Sequence, residues 1–125
     1  MSWSPLEESS LWDKLNAAEG RMNPEQARFW EVVRILPQKW KQTPFGEVGG
    51  GFWVVAVLGS LVVWYNDIEE GFNYSKYISF GEIAEYWCNQ DDLEHALQEL
   101  LNYVQSGHLS GGRAGPPIAG AFVGA

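Results

Sequence analysis

The stretch from Phe52 to Tyr65, FWVVAVLGSLVVWY, decides the fold. Its two runs, 52–57 and 61–65, are rich in aromatic and β-branched residues, and they flank Leu58-Gly59-Ser60, which favours a tight turn. The stretch therefore predicts a β-hairpin. Because both runs are apolar on both faces, we expect another part of the chain to cover each face, or one face to be an interface between two copies.

Turn and strand signals continue on both sides of this hairpin. Residues 66–71 (NDIEEG) predict a polar turn, and residues 72–78 (FNYSKYI) predict a third strand. Upstream, residues 37–51 (PQKWKQTPFGEVGGG) are rich in Pro and Gly and predict a loop.

Two helices are predicted before this loop. Ser4-Pro5-Leu6-Glu7 has the spacing of a capping box, and Gly20 is a helix stop. Asn23-Pro24-Glu25-Gln26 has the same form. The second helix should end at Ile35 or Leu36, because the residue before Pro37 avoids helical backbone angles.

Two further helices are predicted after the sheet. Ser79-Phe80-Gly81-Glu82 is another capping-box pattern, which predicts a short helix with Ile83, Tyr86 and Trp87 facing inward. Residues 89–92 (NQDD) should cap the last helix, and Gly107 should end it. That helix carries a regular apolar stripe, formed by Leu93, Ala96, Leu97, Leu100, Leu101 and Val104.

Together these elements predict a single α+β domain over residues 1–109. A small antiparallel sheet, made of the central hairpin and a third strand, is packed by N- and C-terminal helices. Residues 110–125 (SGGRAGPPIAGAFVGA) show no periodicity and predict a flexible tail or vector-derived residues.

The net charge of −8 is unevenly distributed. Residues 1–45 hold six acids and six bases, whereas residues 46–112 hold ten acids and one base. An acidic body repels nucleic acid and anionic lipid and attracts a basic protein, although acidity also serves solubility alone. The charge pattern therefore predicts a protein partner, basic in character, and neither a nucleic acid nor a membrane partner.

The compartment is predicted from cysteine use and from the start of the chain. Cys88 is the one cysteine, and no cationic segment followed by an apolar run opens the sequence. The apolar run from Phe52 to Tyr65 has 14 residues, fewer than the ~18–20 that span a bilayer. We expect a cytoplasmic protein.

Groups that could carry catalysis are few. His95 lies off the apolar stripe of the last helix, and His108 suits a helix C-terminus. Cys88 has no partner at metal-ligand spacing and is interpreted as a structural thiol. The run Gly49-Gly50-Gly51 lacks the pattern of a phosphate-binding loop. The sequence therefore predicts no catalytic residue, no metal site and no cofactor, and it favours a protein that is not an enzyme.

The acidic turn after the hairpin is the strongest candidate for a site, because acids, amides and aromatic residues meet there. Turn chemistry alone explains Asn, Asp and Gly at these positions. A protein-binding patch, with aromatic anchors and an acidic rim, is the second interpretation. A cation or catalytic site using Asp67, Glu69 and Glu70 is the third. The predicted partner-binding residues are Trp64, Tyr65, Asn66, Asp67, Glu69, Glu70, Asn73 and Tyr74.

The order of features over residues 30–88 resembles that of the SMI1/KNR4-like (SUKH) proteins. A helix runs into Ile35-Leu36-Pro37-Gln38-Lys39-Trp40, and a Gly-rich approach (46–51) leads to the hairpin. The second strand ends in Trp64-Tyr65-Asn66-Asp67-Ile68-Glu69-Glu70, and Ser79-Phe80-Gly81-Glu82-Ile83 starts a helix. The resemblance implies a non-enzymatic protein, and many bacterial members are immunity proteins that neutralise a cognate toxin.

Three functional hypotheses follow. The leading one is a bacterial protein-binding domain, an immunity protein whose acidic surface occludes a basic toxin. The second is a self-associating structural protein, a homodimer that buries one face of the hairpin. The third is a small enzyme or cation binder that uses the acidic turn.

Overall fold

The computed structural model describes residues 4–43, 45, 50–109 and 113–116. Four strands form one antiparallel sheet in the order β1-β2-β3-β4. The predicted α+β class, with N- and C-terminal helices and an antiparallel sheet, is confirmed. In chain order the elements are α1 (Glu8–Arg21), α2 (Pro24–Val33), β1 (Arg34–Trp40), β2 (Phe52–Leu58), β3 (Leu61–Asn66), β4 (Gly71–Lys76) and α3 (Leu93–Ser106).

The predicted hairpin and third strand are present, although the third strand spans Gly71–Lys76 rather than residues 72–78. Leu58 pairs with Leu61 across the turn, and Gly59 supplies the positive φ of 58° that the tight connection uses. Strand β4 pairs with β3 from Leu61↔Lys76 to Asn66↔Gly71. All six residues of β3 are buried, as expected for a central strand that is apolar on both faces.

Strand β1 corrects the prediction that the second helix continues to Ile35 or Leu36 and that a loop begins at Pro37. Helix α2 ends at Val33, and the chain continues directly as an extended strand paired with β2. The restriction that Pro37 places on the residue before it favours extended backbone as well as the end of a helix. At the edge of the sheet, the missing N–H of Pro37 removes no necessary hydrogen bond, and the β1–β2 register is irregular between Arg34 and Gln38.

The short helix predicted from Ser79 is also wrong. Residues 77–92 are irregular, and Gly81 has a φ of 97°, which a right-handed helix does not allow. The backbone is instead bonded to strand ends: Ile83 N–H donates to the Lys41 carbonyl at 2.9 Å, and Lys41 N–H donates to the Gly81 carbonyl at 3.1 Å. Tertiary pairing therefore overrides the local capping pattern.

The start of α1 differs from prediction for a similar reason. The helix begins at Glu8, without a side-chain cap, and runs one residue past Gly20. Leu6 N–H donates instead to the Asp67 carboxylate, and the Leu6 carbonyl accepts from the Trp53 indole, both at 2.8 Å. These bonds hold the chain before Glu8 against the sheet.

The remaining helix ends largely follow the sequence. Asn23 and Gln26 form the predicted reciprocal capping box, with bonds of 2.8 and 3.0 Å. Helix α3 begins after Asp92, whose side chain makes no capping bond, and ends at Gly107 with a φ of 84°. The predicted stripe on α3 is buried except for Val104, which is 55% exposed.

Two apolar clusters cover the two faces of the sheet. The helices pack on one face. The irregular segment covers the other, where Tyr77, Tyr86 and Phe45 pack against a second cluster. Other parts of the same chain therefore cover both faces of the hairpin. This was the first of the two arrangements that the sequence left open. The second cluster consists of Trp40, Phe52, Val54, Val62, Trp64 and Ile83.

Candidate functional site

The turn between β3 and β4 is built around the side chain of Asn66. Its Oδ1 accepts hydrogen bonds from Ile68 N–H at 3.0 Å and Glu69 N–H at 3.1 Å, which is an Asx turn. Its Nδ2 donates to the Trp87 carbonyl at 3.0 Å, and Glu70 adopts a positive φ of 59°. Turn chemistry, the first interpretation of this segment, therefore accounts for Asn66.

A second chain segment, residues 89–92, crosses beside this turn. Asn73 and Asn89 exchange two hydrogen bonds of 2.9 Å each, from Asn73 Nδ2 to the Asn89 carbonyl and from Asn89 N–H to Asn73 Oδ1. Gln90 Nε2 donates to the Glu69 carbonyl at 2.9 Å. The crossing places the acids that precede α3 beside those of the β3–β4 turn.

Two open clefts, of about 340 and 330 Å³, lie at this end of the sheet and share Lys14, Tyr65 and Glu70 as lining residues. We call them together the acidic cleft. Besides the shared residues, the first is lined by Asp13, Ala17, Arg21, Phe72, Gln90, Asp91 and Asp92. The second is further lined by Ser4, Pro5, Leu6, Glu7, Ser10 and Asp67.

The acidic cleft carries six acids and two bases. Both bases already interact with other side chains of this chain. Arg21 donates to the two carboxylate oxygens of Glu94 at 2.5 and 3.1 Å, and Lys14 Nζ lies 5.3 Å from the centre of the Tyr65 ring. The cleft therefore presents excess negative charge. The acids are Glu7, Asp13, Asp67, Glu70, Asp91 and Asp92.

Burial tunes two groups in the cleft. It raises the pKa of the Tyr65 hydroxyl, and the charges of Glu70 and Asp67 raise that pKa further. Burial also raises the pKa of Asp67, although the hydrogen bond from Leu6 N–H and the charge of Lys39 oppose this shift. Tyr65 therefore stays protonated at neutral pH, with its ring edge-to-face against Phe72 at a centroid distance of 4.9 Å.

The structure divides the predicted partner-binding residues into two groups. Tyr65, Asp67 and Glu70 line the acidic cleft, and Glu69 is half-buried in the turn beside them. Tyr65 and Asp67 are themselves buried, at 4% and 7% exposure, so Glu70 is the exposed member of this group. The other four predicted residues are buried and do not line the cleft: Trp64, Asn66, Asn73 and Tyr74. Trp64 is in the cluster on the opposite face of the sheet, where its indole donates to Ser75 Oγ at 2.8 Å. A predicted surface anchor is thus a core residue.

Sequence reasoning missed the half of the cleft that comes from α1 and from the segment before α3. The cleft residues of α1 are spaced to share one face of a helix, so the sequence alone could have predicted that face. They are Asp13, Lys14, Ala17 and Arg21. Which face would lie opposite the β3–β4 turn depends on how α1 packs on the sheet. No local pattern encodes that packing.

The two histidines and the cysteine do not line the acidic cleft. His95 and His108 are exposed, and Cys88 is half-buried. Burial raises the pKa of the Cys88 thiol, although a hydrogen bond with Tyr86 opposes the shift, and burial raises the pKa of Tyr86 to about 12. Among the residues that the structure describes, no three His, Cys, Asp or Glu side chains are grouped as metal ligands. In the same part of the chain, no helix has the length and apolarity needed to cross a membrane.

Comparison with known proteins finds no matching family model and no significant match among curated proteins or solved structures. The SUKH resemblance therefore stays a prediction. Two of its features take another form here: Ile35–Trp40 belongs to β1, and the chain from Ser79 to Ile83 is irregular. The Gly-rich approach lies mostly outside the described residues.

Proposed function

We propose that this chain is a non-enzymatic protein-binding domain whose acidic cleft takes a basic surface of a partner protein. The observation that carries the proposal is the charge of the cleft: six acids face two bases, and both bases already contact the protein itself. A lysine- or arginine-bearing surface would complement that charge.

Binding proceeds in two physical stages. The acidic body first steers a basic partner into encounter, an effect that salt screens beyond about 8 Å at physiological ionic strength. The partner then docks at the cleft, where Glu70 supplies an exposed carboxylate and the buried Asp67 and Tyr65 line the wall. Asn66, Asn73 and the crossing segment hold these groups in place before the partner arrives, which limits the entropy lost on binding.

The biological role we propose is that of a bacterial, cytoplasmic immunity protein that neutralises a cognate toxin. The SUKH resemblance supports this role, and the acidic cleft suits it because toxins that act on nucleic acid carry basic surfaces. Occlusion of such a surface would block the toxin without any chemistry in this chain.

Affinity capture from the source lysate, at low and then high salt, tests the proposal. Glu69→Lys/Glu70→Lys reverses two charges at the turn, one in the cleft lining (Glu70) and one beside it (Glu69), and should abolish capture of a basic partner. Glu31→Lys/Glu82→Lys makes the same change in net charge at positions outside the cleft lining and should retain most of it. Equal capture by both variants would refute docking at the acidic cleft, and capture that does not weaken with salt would refute electrostatic steering.

Self-association is the second candidate, favoured by large apolar side chains left on the surface. Leu36 is 78% exposed on the edge strand β1, and Ile78 and Phe80 are 92% and 69% exposed. Edge strands and exposed apolar groups can pair with a second copy. A monomer in sedimentation equilibrium at micromolar concentration would eliminate this candidate.

A further inference from the structure

Arg113, beyond the last helix, lies against two aromatic rings of the domain. Its guanidinium carbon is 3.8 Å from the centre of the Tyr74 ring and 4.3 Å from that of the Trp87 ring, and its Nη2 donates to the Tyr74 carbonyl. Tyr74 lies on β4, and Trp87 lies in the irregular stretch of residues 77–92. A guanidinium held by two ring faces is in a strong cation–π arrangement, and its planar shape suits it.

Acidic groups complete the surroundings of Arg113. Burial lowers the pKa of its guanidinium, while Tyr74 and the charges of Glu85 and Glu99 oppose that shift. Among the residues that the structure describes, Glu99 Oε2 and Arg113 Nε are both buried and have no hydrogen-bond partner. Within that part of the chain, the pocket has an acceptor that Arg113 does not use, and Arg113 has a donor that the pocket does not use. We call the site formed by Tyr74, Trp87 and Glu99 the guanidinium pocket.

The backbone next to Arg113 is held by two hydrogen bonds, one to each polar group of Ala114. Cys88 N–H donates to the Ala114 carbonyl at 2.6 Å, and Ala114 N–H donates to Asn89 Oδ1 at 2.6 Å. Ala114 and Gly115 are exposed, and a Cβ at Gly115 would meet no atom of the described residues within 4 Å. These contacts hold one arginine side chain and the backbone of the residue after it, a combination that a peptide segment of another protein could also supply.

We propose that the guanidinium pocket is a binding site for an arginine-bearing extended segment of a partner protein, and that residues 113–116 occupy it in the free chain. The inference builds on the proposed function, because the partner there is basic. A tethered occupant competes at a high effective concentration, so it weakens every arginine ligand presented from outside. Removal of Arg113 should therefore open the pocket to such a ligand.

The test uses the full chain and a peptide with the sequence of residues 111–116, acetyl-Gly-Gly-Arg-Ala-Gly-Pro-amide. Its matched control carries Lys in place of Arg. Each peptide is titrated into the wild type, Arg113→Ala and Arg113→Lys, with calorimetry for affinity and the Trp87 indole N–H resonance for location. Arg113→Lys keeps the positive charge and replaces Arg113→Ala as the test variant if Arg113→Ala does not fold.

We expect the Arg peptide to bind Arg113→Ala at least about ten-fold more tightly than it binds the wild type, because the tethered competitor is gone. It should also exceed the Lys peptide by about ten-fold, since an ammonium cannot stack flat between two rings, and it should shift the Trp87 resonance. Any of four results would overturn the proposal. These are equal affinity for the Arg and Lys peptides, equal affinity of Arg113→Ala and the wild type for the Arg peptide, no binding of that peptide, and binding that leaves the Trp87 indole resonance unchanged.

Failure here is distinguishable from failure of the proposed function. The peptide titration needs no natural partner, and the Glu69→Lys/Glu70→Lys variant leaves Tyr74, Trp87 and Glu99 in place. If that variant still captures the lysate partner while Arg113→Ala binds the Arg peptide, docking at the acidic cleft is refuted and the guanidinium pocket stands.

Discussion

Gly71 opens β4 where the backbone of residues 89–90 crosses the strand. A Cβ added there would lie 2.9 Å from the Gln90 carbonyl carbon, and closer still to Gln90 Cα and the Asn89 carbonyl oxygen. These are backbone atoms, so no side chain can rotate away from the clash. In Gly71→Ala the crossing segment would have to retreat by roughly 1 Å to regain van der Waals separation.

The expected cost follows from the hydrogen bonds that hold this segment. Phe72 N–H donates to the Asp91 carbonyl at 2.9 Å, and Asn73 and Asn89 exchange two bonds of the same length. A retreat of that size breaks all three, and each contributes roughly 1 kcal/mol net. We therefore expect Gly71→Ala to lower the free energy of unfolding by about 3 kcal/mol and the melting temperature by about 10 °C.

Urea unfolding followed by tryptophan fluorescence measures this loss, and Gly20→Ala is the matched control. Gly20 lies within α1, and a Cβ there would meet nothing within 4 Å. The control should therefore be stabilised by about 0.5–1 kcal/mol, as expected for Gly to Ala inside a helix. A Gly71→Ala variant within about 0.5 kcal/mol of wild type would show that the crossing segment is not held as the structure describes.

Three further substitutions test groups around the site. Burial opposes ionisation of Glu94, but the hydrogen bond and charge of Arg21 outweigh it and hold the Glu94 pKa below its usual value. The ionised Glu94 therefore stabilises the folded state above its unfolded pKa of about 4.3, and this stabilisation is lost as pH falls through the folded pKa. Glu94→Gln should lower the melting temperature by a few degrees at pH 7 and have little effect near pH 2. Burial raises the pKa of Asp67, so its contribution is fullest below the unfolded pKa and falls as pH rises through the folded pKa. Asp67→Asn keeps an acceptor and should raise the melting temperature by up to a few degrees at pH 7, with no gain at pH 3. Trp64→Phe removes the buried bond to Ser75 Oγ and leaves a void, and it should cost about 2–3 kcal/mol in urea unfolding.

Each of these predictions has an opposite outcome that would contradict it. A Glu94→Gln variant that loses as much stability at pH 2 as at pH 7 would exclude the ion pair as the cause. Destabilisation of Asp67→Asn at pH 7 would show that the Asp67 charge is net favourable. For Trp64→Phe, combination with Ser75→Ala should cost less than the two single losses added, and strict additivity would mean that the two side chains do not interact.

The elements that the sequence predicted correctly depend on contacts close in the chain. The β2–β3 hairpin joins two runs rich in β-branched and aromatic residues across Gly59-Ser60, and β4 follows after a short turn. The capping box of α2 spans four residues, and the stripe of α3 repeats at helical spacing. Each pattern can be recognised in a short stretch of sequence, because the residues that stabilise the element lie near one another in the chain.

The elements that the sequence predicted wrongly are those decided by distant partners. Residues 34–40 become β1 because β2 pairs with them, and residues 79–83 avoid helix because Lys41 bonds their backbone. The capping pattern at Ser4 is overridden by Asp67 and Trp53, which hold Leu6. In all three places a weak local preference competes with hydrogen bonds from residues far along the chain.

The same division applies to the candidate site. The amino-acid sequence by itself determined that the second half is acidic, that acids and aromatic residues meet after β3, and that groups able to carry catalysis are few. Only the tertiary structure decided which of those side chains lie at the cleft: Glu70 is exposed there and the buried Tyr65 lines it, whereas Trp64 is buried on the opposite face of the sheet. It also brought α1 to the cleft and Arg113 to Tyr74 and Trp87. The physical reason is that charge and apolarity belong to each residue, whereas burial and proximity belong to the packing of elements distant in the chain.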